Sequence, residues 1–225
     1  MWSPLRDYNY PVHRLLADAA RRHLGDFRGR VVDVGCGTSP YKAYLAEDVD
    51  YVGVDRAAGP HVQARADMAA LPFASASFDG ALCTEVLEQS PRPWAIVAEL
   101  ARVLRPGGRL YITAPFDWHF VDEPYDYFRF TTHGLRALLE SAGLRVDVVE
   151  PVGGLFSALA GKLVEEVVQE LWLPTARAAG IKRGAYLLAA LGSLPWNLAS
   201  SQLLPHLDRL IARNPFSIAA KAVRA

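Results

Sequence analysis

Two carboxylates and two glycines, placed at the ends of apolar runs, are the residues of this chain best suited to chemistry. Val31, Val32 and Val34 surround Asp33; Gly35, Cys36 and Gly37 follow, and Thr38, Ser39 and Pro40 lead toward an expected helix start. Glycines at this spacing accept positive φ and let a ligand touch bare backbone. A helix beginning here would add free N–H groups and the positive end of its dipole. A second apolar run, Tyr51 to Val54, ends in Asp55. An acid in that place grips ribose hydroxyls in nucleotide-binding α/β folds. A dinucleotide turn wants a third glycine where Pro40 stands, and a pyrophosphate would be repelled by Asp33. Asp33 suits an ammonium or a sulfonium instead, so the turn fits a cationic, amino-acid-bearing nucleoside.

The elements that must position these groups are strands alternating with helices. Apolar runs at 30–34, 51–55, 61–65, 79–84, 108–114 and 144–149 read as strands. A helix is expected over 11–24, with Leu15, Leu16, Ala19, Ala20 and Leu24 on one period and Gly25 as its stop. Another runs from Pro93 to Leu104, bearing Ile96, Val97, Leu100 and Val103 on one face. A third runs from Thr131 to Ala142, with Leu135, Leu138 and Leu139 inward, a threonine cap and Gly143 as its stop. Near-continuous apolar strands separated by helices predict a mostly parallel sheet covered on both faces. Asp33, Asp55, Asp67 and Glu85 each fall at or just past a strand end, so they converge on the edge where such sheets bind ligands.

The segment 115–130 follows the fifth of the long strands and is dense in aromatic and titratable groups. A segment of that length without its own periodicity points to function. His119 is its best general base, because imidazole titrates near neutrality. Tyr125, Asp126 and Arg129 could orient His119 or bind an acceptor carboxylate or phosphate; equally, Asp126 could pair with Arg129 and latch the loop shut.

The 225 residues suffice for one α/β domain with a modest additional element, and 51% hydrophobic content supplies a core. Lys and Arg total 24, matching 24 Asp and Glu, so composition offers no basic excess for nucleic acid. Cys36 and Cys83 read as small core residues rather than a disulfide or metal pair, and no metal site is expected. The first eight residues lack the apolar run of a secretory signal, which predicts a cytoplasmic setting. Residues 155–171 read as a helix, with Leu159, Leu163, Val167 and Leu171 on a period. Residues 184–206 contain no Asp, Glu, Lys or Arg but are interrupted by Pro195, Asn197, Ser200, Ser201, Gln202 and Pro205. That stretch suits a packed helical hairpin, a face between two copies in a homodimer, a helix on a membrane surface, or a span.

Five pieces in order carry a family likeness. They are Asp33-x-Gly35-x-Gly37; Val54-Asp55; Ala66-Asp67-Met68 with Leu71-Pro72-Phe73 and Ser77-Phe78-Asp79; Glu85-Val86-Leu87-Glu88; and Arg102 to Leu110 around Pro106-Gly107-Gly108. Together, over residues 28–150, they resemble the class I S-adenosylmethionine-dependent methyltransferases of type 11. The resemblance implies an α/β, Rossmann-like, seven-stranded, mostly parallel sheet with helices on both faces. It also implies a C-terminal helical insertion before a last antiparallel strand: a helical cover at 1–28, a core at 29–151, the insertion at 152–214 and the strand at 215–225. S-adenosyl-L-methionine would be the cofactor. Gly35, Cys36 and Gly37 would face its methionine part, and Asp33 its ammonium; Asp55 would take the ribose and Arg56 the adenine edge. Asp67 and Met68 would take the adenine amino group, while Glu85 and Val86 would border the methyl. Catalysis would fall to His119, Glu85 and Tyr125. The acceptor expected is a small molecule or a lipid-linked or glycan precursor, with nucleic acid disfavoured. Ser39 and Gln89 depart from the family pattern, which has glycine and histidine there, and Gln89 cannot shuttle protons. Rival readings are a nucleoside-binding assembly module without catalysis and an NAD-linked enzyme, the latter opposed by Pro40.

Overall fold

The computed structural model describes residue 7 and residues 9–120, 123–178, 185–209 and 215–225. They form two compact units. One holds Ala19–Phe116, Phe120–Pro151 and Ser217–Ala225; the other holds the described residues up to Asp18, Asp117–His119 and Val152–Phe216.

The first unit is built on a sheet of seven strands among the described residues. These are β1 Arg30–Val34, β2 Asp50–Asp55, β3 Ala64–Arg65, β4 Phe78–Thr84, β5 Leu104–Pro115, β6 Leu144–Val152 and β7 Ser217–Arg224, in the order β3-β2-β1-β4-β5-β7-β6. Neighbours from β3 to β5 run parallel, and β7 runs antiparallel to β5 from Arg109↔Val223 to Pro115↔Ser217. Alternation along the strands divides the side chains between two faces. On one, Val32, Val34, Val54, Ala81, Cys83, Leu110, Ile112 and Ile218 pack with Ile96, Val97 and Leu100 of α2 (Pro93–Val103) and Leu135 and Leu139 of α3 (Thr132–Ser141). On the other, the last turns of α1 (Tyr10–Leu24) bring His23 onto the Tyr111 ring, and Phe27 abuts Gly80, whose Cβ would come within 2.7 Å of it. Both faces are covered, as a parallel sheet requires.

One expectation fails. No helix follows Gly37; the chain makes a single 3₁₀ turn at Lys42–Tyr44 and is extended again at Leu45. Pro40 lacks an N–H, Ser39 takes φ 56°, and Tyr41 is buried at 4% exposure, so the turn is anchored before a helix can propagate. The free helix terminus expected there is therefore absent. Strand bounds also move. β5 begins at Leu104 and passes through Pro106-Gly107-Gly108, whereas the strand expected at 61–65 shrinks to Ala64–Arg65.

In the second unit, α4 (Leu155–Glu166) continues as a π-helical stretch at Val167–Trp172, then α5 (Leu173–Ala178), with α6 at Ala185–Asp208. Asp208 caps α4: its Oδ1 accepts from the amides of Phe156 (2.9 Å) and Ser157 (3.2 Å), and its Oδ2 from the Ser157 hydroxyl. The periodic Leu159, Leu163, Val167 and Leu171 face solvent, at 48–65% exposure, rather than a core. α6 begins at Ala185, so Gly184 of the uncharged stretch lies outside the described residues. Among the described residues no helix is long and apolar enough to cross a membrane.

The Thr131 side chain accepts from the Gly134 amide at 2.9 Å and caps α3. Thr131→Ala is expected to cost about 1 kcal/mol, read as a lower urea midpoint with an unchanged slope.

Candidate functional site

The site begins where β1 runs out between β2 and β4. Asp33 lies level with Gly53 of β2 and Leu82 of β4, and its side chain is 1% exposed. Oδ2 accepts from the Tyr51 hydroxyl at 2.7 Å. That hydroxyl is also 2.7 Å from Ser39 Oγ, which serves as its donor. Oδ1 is buried without a partner. Burial, opposed by the Tyr51 hydrogen bond and reinforced by the charge of Asp55, pushes the Asp33 carboxyl up to about 6.

Past the strand, the amides of Gly35 and Cys36 both donate to Val54 O, at 2.8 and 3.0 Å, which ties the turn to β2. Asp55 completes the tie. Its Oδ2 accepts from the Gly37 amide and its Oδ1 from Ala57, both at 3.0 Å. One carboxylate thus clasps two turns, and each oxygen retains a lone pair for a further donor. Gly35 and Gly37 take φ 74° and 49°. They differ in surroundings. Nothing lies within 4 Å of a Cβ placed on Gly37, whereas one on Gly35 would meet Val86 Cγ2 at 2.5 Å and Cγ1 at 2.6 Å. The expectation of open backbone at both glycines is therefore corrected: Gly35 is closed by Val86, and only Gly37 offers bare backbone. Cys36 turns its sulfur onto Gly53 and the His61 carbonyl, and burial, with help from Asp33, pushes its thiol up to about 11.

Glu85, one residue beyond β4, holds φ 51°, a conformation that costs a non-glycine residue roughly 1–2 kcal/mol. Its amide donates to Thr113, with both the carbonyl and Oγ1 at 3.1 Å, and its Oε1 accepts from Ser217 Oγ at 2.6 Å. Strain of this kind persists where surrounding structure over-determines it, often at functional sites. Glu85 also faces the buried hydroxyls of Tyr41 and Tyr111, whose ionisation burial and Glu85 both oppose. Asp67 Oδ1 accepts from Ala69 at 2.9 Å and caps the turn after β3, with Met68 half-buried against the core. The Arg56 guanidinium lies 4.6 Å from the Tyr125 ring centroid.

The 115–130 segment divides. Asp126 and Arg129 pair bidentately at 2.6 and 2.8 Å in the sheet unit, and the Tyr127 amide donates to Glu88 O at 2.9 Å. Asp117–His119 belong to the helical unit. There Lys162 pairs with Asp117, and His119 Nε2 stands 3.9 Å from Glu165 Oε1, with its ring against Trp118. Val121 and Asp122 of this segment lie outside the described residues. Sequence reasoning had no means to single out Tyr51, Tyr111, Ser217 or Glu88. Each acts across strands or through burial; only the position of Glu88 inside a named motif hinted at it.

Seven strands in this order, with acids at the tips of β1, β2 and β4, define a Rossmann-like fold. Residues 32–112 match the family model described as a methyltransferase domain. Uncharacterized methyltransferases of Mycobacterium marinum and Mycobacterium avium are 37% and 40% identical over 107 residues, 40% of this chain and 42% of theirs. This chain thus matches under half the length of these relatives. Among solved structures, the [4+2]-cyclase SpnF superposes with a TM-score of 0.60 at 21% identity, covering 93% of this chain and 80% of that one. A sarcosine dimethylglycine methyltransferase from Galdieria sulphuraria, titled as putative, gives 0.59 at 15% identity, covering 95% and 84%. Over residues 32–112 the chain is thus similar to a methyltransferase domain, a family that uses S-adenosyl-L-methionine.

Gly35→Ala is expected to lower the melting temperature, through both positive φ and the clash with Val86. Adding Val86→Ala should restore part of the loss, leaving the φ cost. A double variant no more stable than Gly35→Ala alone would count against the packing account.

Proposed function

We propose that this chain transfers a methyl group from S-adenosyl-L-methionine to a small-molecule or lipid- or glycan-precursor acceptor. The observation that carries this reading is the unanswered Oδ1 of Asp33, buried at the start of a turn whose Gly37 has open space at its Cα and is clasped through its amide by Asp55. A buried carboxylate oxygen without a donor calls for a cation or a strong donor. The ammonium of an amino-acid-bearing nucleoside supplies one, and the remaining lone pairs of Asp55 suit ribose hydroxyls. In this reading Gly37 receives the methionine backbone, Asp67, Met68 and Arg56 flank the adenine, and Glu85 and Val86 border the reacting carbon. The bound cofactor supplies a methyl group already activated by its sulfonium charge. The protein then has to orient the acceptor and exclude water, and orientation alone lowers a barrier by roughly 7–11 kcal/mol. His119 takes the acceptor proton where one must leave, worth about 10²–10⁴-fold.

A dinucleotide reading is opposed twice over. Asp33 repels a pyrophosphate, and the helix terminus that would hold one is replaced by a 3₁₀ turn. A non-catalytic assembly module retains one supporting observation, the outward leucines of α4 and the π stretch. The cytoplasmic setting is supported by two buried thiols left free, Cys36 and Cys83.

Titration calorimetry with S-adenosylmethionine and S-adenosylhomocysteine, followed by a methylation screen against extract fractions, tests the reading. Binding without turnover on any fraction would favour the module. Asp55→Ala should abolish cofactor binding. His119→Ala should slow turnover with binding intact; equal turnover removes His119 from the base role.

The Asp33 carboxyl also imposes a pH signature. Its pKa is raised on folding, so the stability it contributes is present below its ordinary value of 3.8 and lost as pH rises through about 6. Cation binding runs the other way, because it needs the ionised form. S-adenosylhomocysteine affinity in calorimetry should therefore weaken as pH falls through about 6, and Asp33→Asn should be weaker throughout and flat across that window.

A further inference from the structure

A second buried carboxylate lies outside the cofactor cradle. Glu88, in the 3₁₀ turn Leu87–Gln89 after β4, is 2% exposed, and its Oε2 has no partner. The groups facing it come from β4 with its tip and from the 123–130 loop. Cys83 on β4 is a buried thiol whose ionisation Glu88 opposes, and Glu85 at the tip of β4 sets a like charge against it. From the 123–130 loop, Asp126 adds a further negative charge, and Arg129 a positive one. Arg129 is already committed, holding Asp126 bidentately and donating to Phe128 O at 2.8 Å. The like charges of Glu85 and Asp126 thus bear on Glu88, whose buried Oε2 nothing answers. The free protein relieves the excess by keeping Glu88 protonated. Burial and then Glu85 push its carboxyl up to about 8, against the pull of Arg129.

Such a site rejects anions and gains from a cation with hydrogens to donate. Resting on the methyltransferase reading above, we propose that Glu88, with Glu85 beside it, selects acceptors bearing an ammonium group, so that the substrate class is a small amine. Glu85 borders the reacting carbon in that reading, so an ammonium held by the two carboxylates passes one proton to a carboxylate, and its freed lone pair attacks the methyl carbon opposite the sulfur as the C–S bond breaks and the neutral thioether leaves. An alcohol offers one hydrogen and no charge, and a carboxylate or phosphate adds repulsion.

The test uses the full chain loaded with S-adenosylhomocysteine and three probes, ethylammonium chloride, ethanol and sodium acetate, read by titration calorimetry and by melting temperature. Ethylammonium alone should bind. At pH 7 its binding should release protons, measured by repeating the titration in buffers of different ionisation enthalpy, because Glu88 must ionise to receive it. Its affinity should rise as pH approaches about 8, while the probe itself stays charged. Glu88→Gln should weaken ethylammonium about tenfold or more and leave the S-adenosylhomocysteine affinity unchanged. Ethanol or acetate binding as well as ethylammonium, an unaltered response in Glu88→Gln, or no proton release from the wild-type protein would each overturn the proposal. The proton-release measurement needs no variant and so decides the matter even if Glu88→Gln does not fold. Failure of S-adenosylhomocysteine to bind the wild-type protein overturns the methyltransferase reading, and the amine subsite with it.

Discussion

A carboxylate in the interior of a parallel sheet must find donors or give up its charge, and Asp33 does neither completely. Tyr51 answers one oxygen, Ser39 steadies Tyr51, and the second oxygen stays open. The neighbouring structure follows from keeping that oxygen in place. The turn after β1 is stapled to Val54 by two amides, and Asp55 reaches back to hold Gly37. Tyr41, buried beside Glu85 and Asp33, pins the chain into a short 3₁₀ turn. A regular helix there would have pointed a positive dipole end at the same place. Its absence leaves the electrostatics of the turn to the two aspartates.

The hydrophobic periods carry most of the fold. Ile96, Val97, Leu100 and Val103 are all fully buried, as their spacing predicts, and Leu135 and Leu139 seal the same face. The apolar runs of β1, β2 and β4 likewise announce which residues lie at the strand ends. What the spacing of residues could not announce is contact at a distance. Tyr51 meets Asp33 only because β1 and β2 pair in one register, and Ser217 meets Glu85 only because β7 returns beside β5. The two glycines looked alike in sequence, yet Val86, fifty residues away, closes one and leaves the other open. Leu159, Leu163, Val167 and Leu171 show the converse limit. A period reports a face but not which way it turns, and here it turns to solvent.

The 115–130 segment is legible in the sequence as a loop dense in aromatic and titratable groups, but not as a divided one. Its first residues, Asp117–His119, are bound up with Lys162, Glu165 and Trp118's neighbour Gly161 in the helical unit. Its later residues anchor through Asp126, Arg129 and the Tyr127 amide to the sheet unit. Aromatic density signals that such a segment packs, and titratable residues that it carries charge. Neither says that two compact units share it. The physical reason for the division is that each half satisfies its polar groups locally, one through Lys162 and Glu165, the other through the bidentate pair.

Charge balance illustrates how composition and site can diverge. Equal numbers of acidic and basic residues offer no basic excess for nucleic acid. Yet the acids are not spread evenly. Asp33, Asp55, Asp67, Glu85 and Glu88 all lie at the carboxyl ends of β1 to β4 or in the turns that follow, while Arg30, Arg105 and Arg109 find partners in Asp50, Asp79 and Asp26 at the opposite ends of the strands. Pairing at one end leaves a negative surplus at the other. Two of those carboxylates are buried, and burial raises the pKa of both, so a cation that enters gains from ionising them. A chain of zero net charge can thereby gather its acidic side chains at one edge of the sheet.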